Sequence, residues 1–139
     1  MINDKKLTAN FKLSEFITNR FFDTESQAKA ITIYNNTKSV QDNIQKLANQ
    51  LQILRNKVDV PVHINIAYRP VFWELMQGRN GSSQHTEGKA ADIIVQGLTP
   101  KYVAAKIEQL IEAGDMLQGG LSAYRTFVHY DIRKTKARW

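Results

Sequence analysis

The sequence predicts an α+β fold in one domain over residues 1–139, helical in its N-terminal half and strand-rich in its C-terminal half. Three observations carry this reading. Val40, Ile44, Leu47, Leu51 and Leu54 recur at alternating steps of four and three, the period of one helical face. Val62, Ile64 and Ile66 alternate with His63, Asn65 and Ala67, the period of a half-buried strand. The order of elements (helices, strand, loop, strand, helix, strand) belongs to that class.

The long helix is read over Thr37–Val58, with Thr37 or Ser39 as the N-cap oxygen and its apolar stripe packed on a sheet. Pro61 ends the helical region and opens the extended segment Val62–Ala67. A short helix over Val71–Gln77 and a loop over Gly78–Ser83 follow, then a buried strand over Ala90–Val95. Thr99-Pro100 is a helix start, a cap residue before Pro at the first helical position. Val103, Ile107, Leu110 and Ile111 give that helix its apolar face, and Gly114 ends it. Gly119-Gly120 is read as a turn and Phe127–Ile132 as the last strand.

Composition removes several functions. The chain has no cysteine, which excludes disulfides, thiolate metal sites and cysteine nucleophiles. Any metal must be held by His, Asp or Glu. The net charge of +6 favours an anionic partner without choosing among polyanions. No helix-turn-helix, zinc-finger or stacking-aromatic pattern accompanies it, so nucleic acid is not an expected partner. The basic end, Arg133, Lys134, Lys136 and Arg138, reads as a solvated tail. Met1–Lys6 leads into no apolar segment, so neither a secretory signal nor membrane insertion is expected, and the chain is expected to act as a monomer.

Chemistry concentrates in two segments. In Ser83–Asp92, His85 lies on a loop and Asp92 early in the strand that follows. In Phe127–Ile132, alternation puts Phe127, His129 and Asp131 on one face and Val128, Tyr130 and Ile132 on the other. Two imidazoles and one carboxylate form the three-ligand set of catalytic zinc, with a fourth position for water. Asp131 is a candidate general base or ligand-orienting carboxylate. Arg69, just past the first strand, is a candidate oxyanion stabiliser. Glu74 and Glu87 are reserve carboxylates at the surface. His63 reads as structural or substrate-facing, and Trp73 and Trp139 as packing residues.

At these residues the chain resembles the zinc D-alanyl-D-alanine peptidases of peptidoglycan and their relatives. These include the VanX/VanY-type dipeptidases and carboxypeptidases and the phage L-alanyl-D-glutamate endolysins. Phe11-Lys12-Leu13-Ser14-Glu15-Phe16 is similar to the family's Phe-x-x-x-Glu-Phe start, and Ala67-Tyr68-Arg69-Pro70 to its Ser-Gly-Tyr-Arg-Ser segment. Ser83-x-His85-x-x-Gly88-x-Ala90-x-Asp92 follows its signature position by position. Gly119-Gly120, Tyr124, Phe127-Val128-His129-x-Asp131-x-Arg133 and Arg138-Trp139 resemble the closing segment of one branch.

The resemblance implies a compact domain with a central antiparallel sheet and flanking helices, of the Hedgehog/D,D-peptidase type. It implies zinc (Zn2+) held by His85, Asp92 and His129, with Arg69 facing the substrate carbonyl or carboxylate. Ser83 and Tyr124 take substrate-binding positions. Peptidoglycan peptides are the implied substrates, cut by an endopeptidase such as a phage lysin or trimmed by a D-Ala-D-Ala carboxypeptidase. A non-catalytic wall-binding or phage structural module is the alternative. An enzyme without a leader would reach the wall through a phage pore or in the virion. The chain departs from the family at Thr126, where many relatives carry Glu or Asp as the base, at Ile66-Ala67, and at the bulky Phe72-Trp73-Glu74-Leu75.

Overall fold

The computed structural model describes residues 4–139; Met1–Asn3, where the expected absence of a leader begins, lie outside them. Helices α1 (Ser14–Ile17), α2 (Thr24–Asn35) and α3 (Lys38–Val58) precede strand β1 (Val62–Ile66). Helix α4 (Val71–Met76), a 3-10 turn (Gln84–Glu87) and β2 (Ala90–Val95) follow, then α5 (Pro100–Glu112), β3 (Gly120–Ala123), β4 (Val128–Asp131) and β5 (Ala137–Arg138). The strands form one sheet in the order β1-β2-β4-β3-β5, antiparallel except where β5 joins β3. The class is α+β, as the periodicities indicate.

The stripe on α3 is the centre of the core: Ile44, Leu47, Leu51 and Leu54 are fully buried. They share one apolar cluster with Val103 and Ile107 of α5 and with Ile64, Ile93, Leu121, Val128 and Tyr130 of the sheet. Thr99 caps α5 by accepting a hydrogen bond from the Tyr102 amide. Thr37 sits at the start of α3, but its hydroxyl donates back to the Ile33 carbonyl of α2, so neither proposed oxygen caps the helix.

The sheet thus has an apolar face turned to the helices and a second face that is polar at its centre. Asp92 opposes His129 across the β2–β4 ladder, and Ser122 of β3 opposes His129 from the other side. A register shift in β1 between Ile64 and Ile66 sets Ile66 opposite Asp92. Two readings are corrected here. Gly120 begins a strand rather than completing a turn, because Asp131 packs so closely that a Cβ there would lie 2.2 Å from its carboxylate. The basic end is not a free tail, because Arg138 lies in β5 and pairs with Glu108 at 2.7 Å.

Gly88 closes the 3-10 turn in the left-handed region, at φ 74°, packed against α3. A Cβ there would fall 3.0 Å from Ile44 Cγ1 and 3.1 Å from the Val40 carbonyl oxygen. Gly88→Ala should therefore cost about 1–3 kcal/mol through strain and displaced packing. Urea unfolding should read this as a lower midpoint with an unchanged slope.

Candidate metal centre

His85, Asp92 and His129 converge on the polar face of the sheet, each offering one donor atom within 4.8 Å of the others. The 3-10 turn delivers His85. Ser83 Oγ accepts from the His85 amide, and the His85 carbonyl accepts from the Arg69 amide, which locks the turn to the end of β1. β2 and β4 supply Asp92 and His129 as cross-strand neighbours.

The tautomers follow from the partners. His85 Nδ1 lies 2.7 Å from the Ala67 carbonyl oxygen, which can only accept, so Nδ1 carries the proton and Nε2 is a bare lone pair. His129 Nε2 lies 2.7 Å from Asp131 Oδ2, which by the same logic leaves Nδ1 bare. Both bare nitrogens point at Asp92 Oδ1, at 3.3 and 3.2 Å. Three electron-pair donors facing one another repel unless a cation lies among them. The two separations from Asp92 Oδ1 are close to the edge of a tetrahedron with bonds of about 2.0–2.1 Å, roughly 3.3–3.4 Å. The donor set thus fits zinc.

Electrostatics agree. Burial opposes ionisation of Asp92, yet the two imidazoles beside it, His129 and His85, hold its carboxyl well below the usual carboxylate range. Burial likewise opposes the charged form of His129, but Asp131 and Asp92 raise its pKa.

A family model described as Peptidase M15 matches residues 9–131. The chain belongs to the peptidase M15 family. None of the curated proteins matches it. M15 peptidases are zinc-dependent metallopeptidases, and the His85–Asp92–His129 group is able to hold that ion. Among the described residues no helix is long and apolar enough to cross a membrane.

The other predicted residues divide by position. Arg69, Ser83 and Tyr124 line a cleft of about 420 Å³ together with the three candidate ligands. Arg69 Nη2 lies 3.4 Å from Ser83 Oγ, and burial lowers the Arg69 pKa. Tyr124 stacks on Phe127 with ring centroids 4.6 Å apart, and its hydroxyl accepts from Trp139 Nε1.

Asp131 is fully buried and does not line the cleft. Its oxygens accept from the Gly120 amide, from the Arg133 amide and guanidinium, and from His129. Such an enclosed carboxylate orients an imidazole but does not reach a cleft water. Asp92 is the only carboxylate lining the cleft among the described residues, and Thr126 is exposed.

Three residues depart from their sequence reading. Glu74 is not at the surface but 1% exposed, and is bound by Arg79 Nε at 2.6 Å. Trp139, read as packing, is 55% exposed on the cleft rim, with its ring 5.0 Å from that of His129. Arg133, read as part of a tail, clamps Asp131; its position two residues on, hence on the same strand face, was the available signal. Glu87 stays at the surface beside Lys89, and His63 is exposed in a separate groove. Trp73 packs edge-on against Phe22.

These pKa directions set the pH response of the metal-free protein. Asp92 and Asp131 are lowered from 3.8, so their contribution is present above that value and lost as pH falls through the folded values. His129 is raised from 6.5, so its contribution is full below that value and lost as pH rises through the folded one. Chelated protein should be most stable between those limits, and Asp131→Asn should flatten the profile on both sides. Thermal unfolding measured across the range checks this.

Proposed function

We propose that this chain is a zinc-dependent peptidase that hydrolyses peptide bonds in the stem peptides or crosslinks of bacterial peptidoglycan. The observation that carries it is the convergence of two bare imidazole nitrogens on one Asp92 oxygen, in an M15 chain, at the floor of a cleft reached by Arg69. Zinc bound there would supply activation of a water near neutral pH and polarisation of the scissile carbonyl.

The chain's own residues do the rest. His85, Asp92 and His129 hold the ion. The Ala67 carbonyl and Asp131 fix the two imidazoles in the tautomers that present a lone pair. In this reading Asp131 is the orienting carboxylate and not the base. Arg69 binds the carbonyl oxygen as charge develops on it. Ser83 and Tyr124 position the peptide, and Trp139 shields His129 from solvent.

Endopeptidase action is favoured over carboxypeptidase action because a second open cleft adjoins the first and shares Arg69, Asp92 and Phe127 with it. A chain can then enter and leave past the ligands. The absence of a second carboxylate lining the cleft among the described residues favours, as the other reading, a wall-binding module that retains zinc without turnover.

His85→Ala and His129→Ala should each abolish zinc retention and wall digestion together, as read by metal analysis after dialysis and by muropeptide release. Asp131→Asn should lower metal affinity and activity in parallel by roughly 10–100-fold; loss of turnover at full zinc occupancy would restore Asp131 as the base. Mass spectrometry of the new termini identifies the bond cut. Zinc retention with no chelator-sensitive release from purified walls would establish the binding module instead.

A further inference from the structure

Beyond Asp92 the cleft continues into a second arm of about 370 Å³, and its walls are cationic. Arg20, Arg69 and Arg79 all line it, and among the described residues Asp92 is its only lining carboxylate. Two of the guanidiniums rest on aromatic rings. Arg20 lies 4.9 Å above Phe21, and Arg79 lies 5.3 Å from Trp73. The rings hold them without neutralising them.

Glu74 lies behind this wall. It engages Arg79 through Nε and Nη2, and lies 3.4 Å from Arg69 Nε. One buried carboxylate therefore serves two arginines, and neither Glu74 Oε1 nor Arg69 Nε makes a full hydrogen bond. Arg20 has no ion-pair partner among the described residues. With Glu74 and Asp92 both counted, three arginines still leave the arm positive, and a divalent ion at the ligands adds to that. A neutral peptide backbone needs no such wall. A carboxylate does, because a guanidinium fork matches its two oxygens.

We infer that this arm is a subsite for a free carboxylate of the substrate peptide, with Arg20 and Arg79 as its anion-binding groups and Glu74 as the residue that positions Arg79 and Arg69. The inference rests on the peptidase reading for the identity of the ligand, but not for its charge. The carboxylate is either the C-terminal one or a side-chain one on the acidic residues of a stem peptide. The geometry is common to both.

The test uses the zinc-loaded full chain and synthetic stem pentapeptides in which each carboxyl group is singly converted to the carboxamide. Binding is followed by calorimetry and cleavage by chromatography. One amidation should weaken binding roughly tenfold, the effect of losing one charge-assisted hydrogen bond. Which one does so separates the C-terminal from the side-chain source. Arg20→Gln should weaken binding of the unmodified peptide by a similar factor and leave the sensitive carboxamide unchanged; Arg20 is exposed and unpaired, so the fold should survive. Equal binding of all peptides, or an equal effect of Arg20→Gln on acid and amide, would overturn the subsite. Cleavage without such discrimination would overturn it while leaving the peptidase standing. Discriminating binding without cleavage would uphold the subsite and defeat the peptidase.

Discussion

Asp92 and His129 face each other across the β2–β4 ladder, and the arrangement of the whole polar face follows from that pairing. Strand periodicity means a slip of one residue would turn His129 and Asp131 into the apolar core and bring Val128 and Tyr130 out. The register is held from the other face. Ile93, Val128, Leu121 and Tyr130 share the apolar core with α3 and α5, and a slip of one residue would take them out of it. The hydrophobic layer thus sets the geometry of the site without contributing an atom to it.

Polar groups in this position are costly unless each has a partner. The chain meets that demand with a graded series. Asp131 has no exposure, and its charge is matched by a two-pronged Arg133 and two backbone amides. His129 is fixed by Asp131 on one nitrogen and left bare on the other. Only at the last step, where His85, Asp92 and His129 meet, does protein satisfaction stop. The residual mismatch is electrostatic and has the sign that a divalent cation relieves. Close backbone approach makes the series possible, since any side chain at Gly120 would collide with Asp131.

The cleft departs from a bare metal cradle through its borders. Trp139 and Tyr124 are joined by a hydrogen bond and form a lip over His129 on one side. On the other, the bulky segment Phe72–Leu75 folds so that Trp73 and Glu74 point inward. Glu74 is neutralised by arginines rather than by water, which converts a run that looks like surface helix into the back wall of the second arm.

Much of this was legible in order along the chain. The steps of α3, the alternation of β1, the Thr99-Pro100 start of α5 and the same-face placement of His129 and Asp131 are local properties, written at helix or strand period. Local sequence also determined the ligand types, since a chain without cysteine has few alternatives. Other features were not local. Arg138 read as part of a loose basic end because its partner, Glu108, is reached only after the chain closes its sheet with a parallel fifth strand. Glu74 read as exposed because nothing nearby in sequence announces a buried pair with Arg79. The sequence by itself determined which elements form and which residue types could hold a metal, because both depend on periodicity and side-chain chemistry. Only the tertiary structure decided that Asp131 is enclosed, that Trp139 borders the cleft and that the arginines share one wall, because burial and charge pairing are set by residues far apart in the chain.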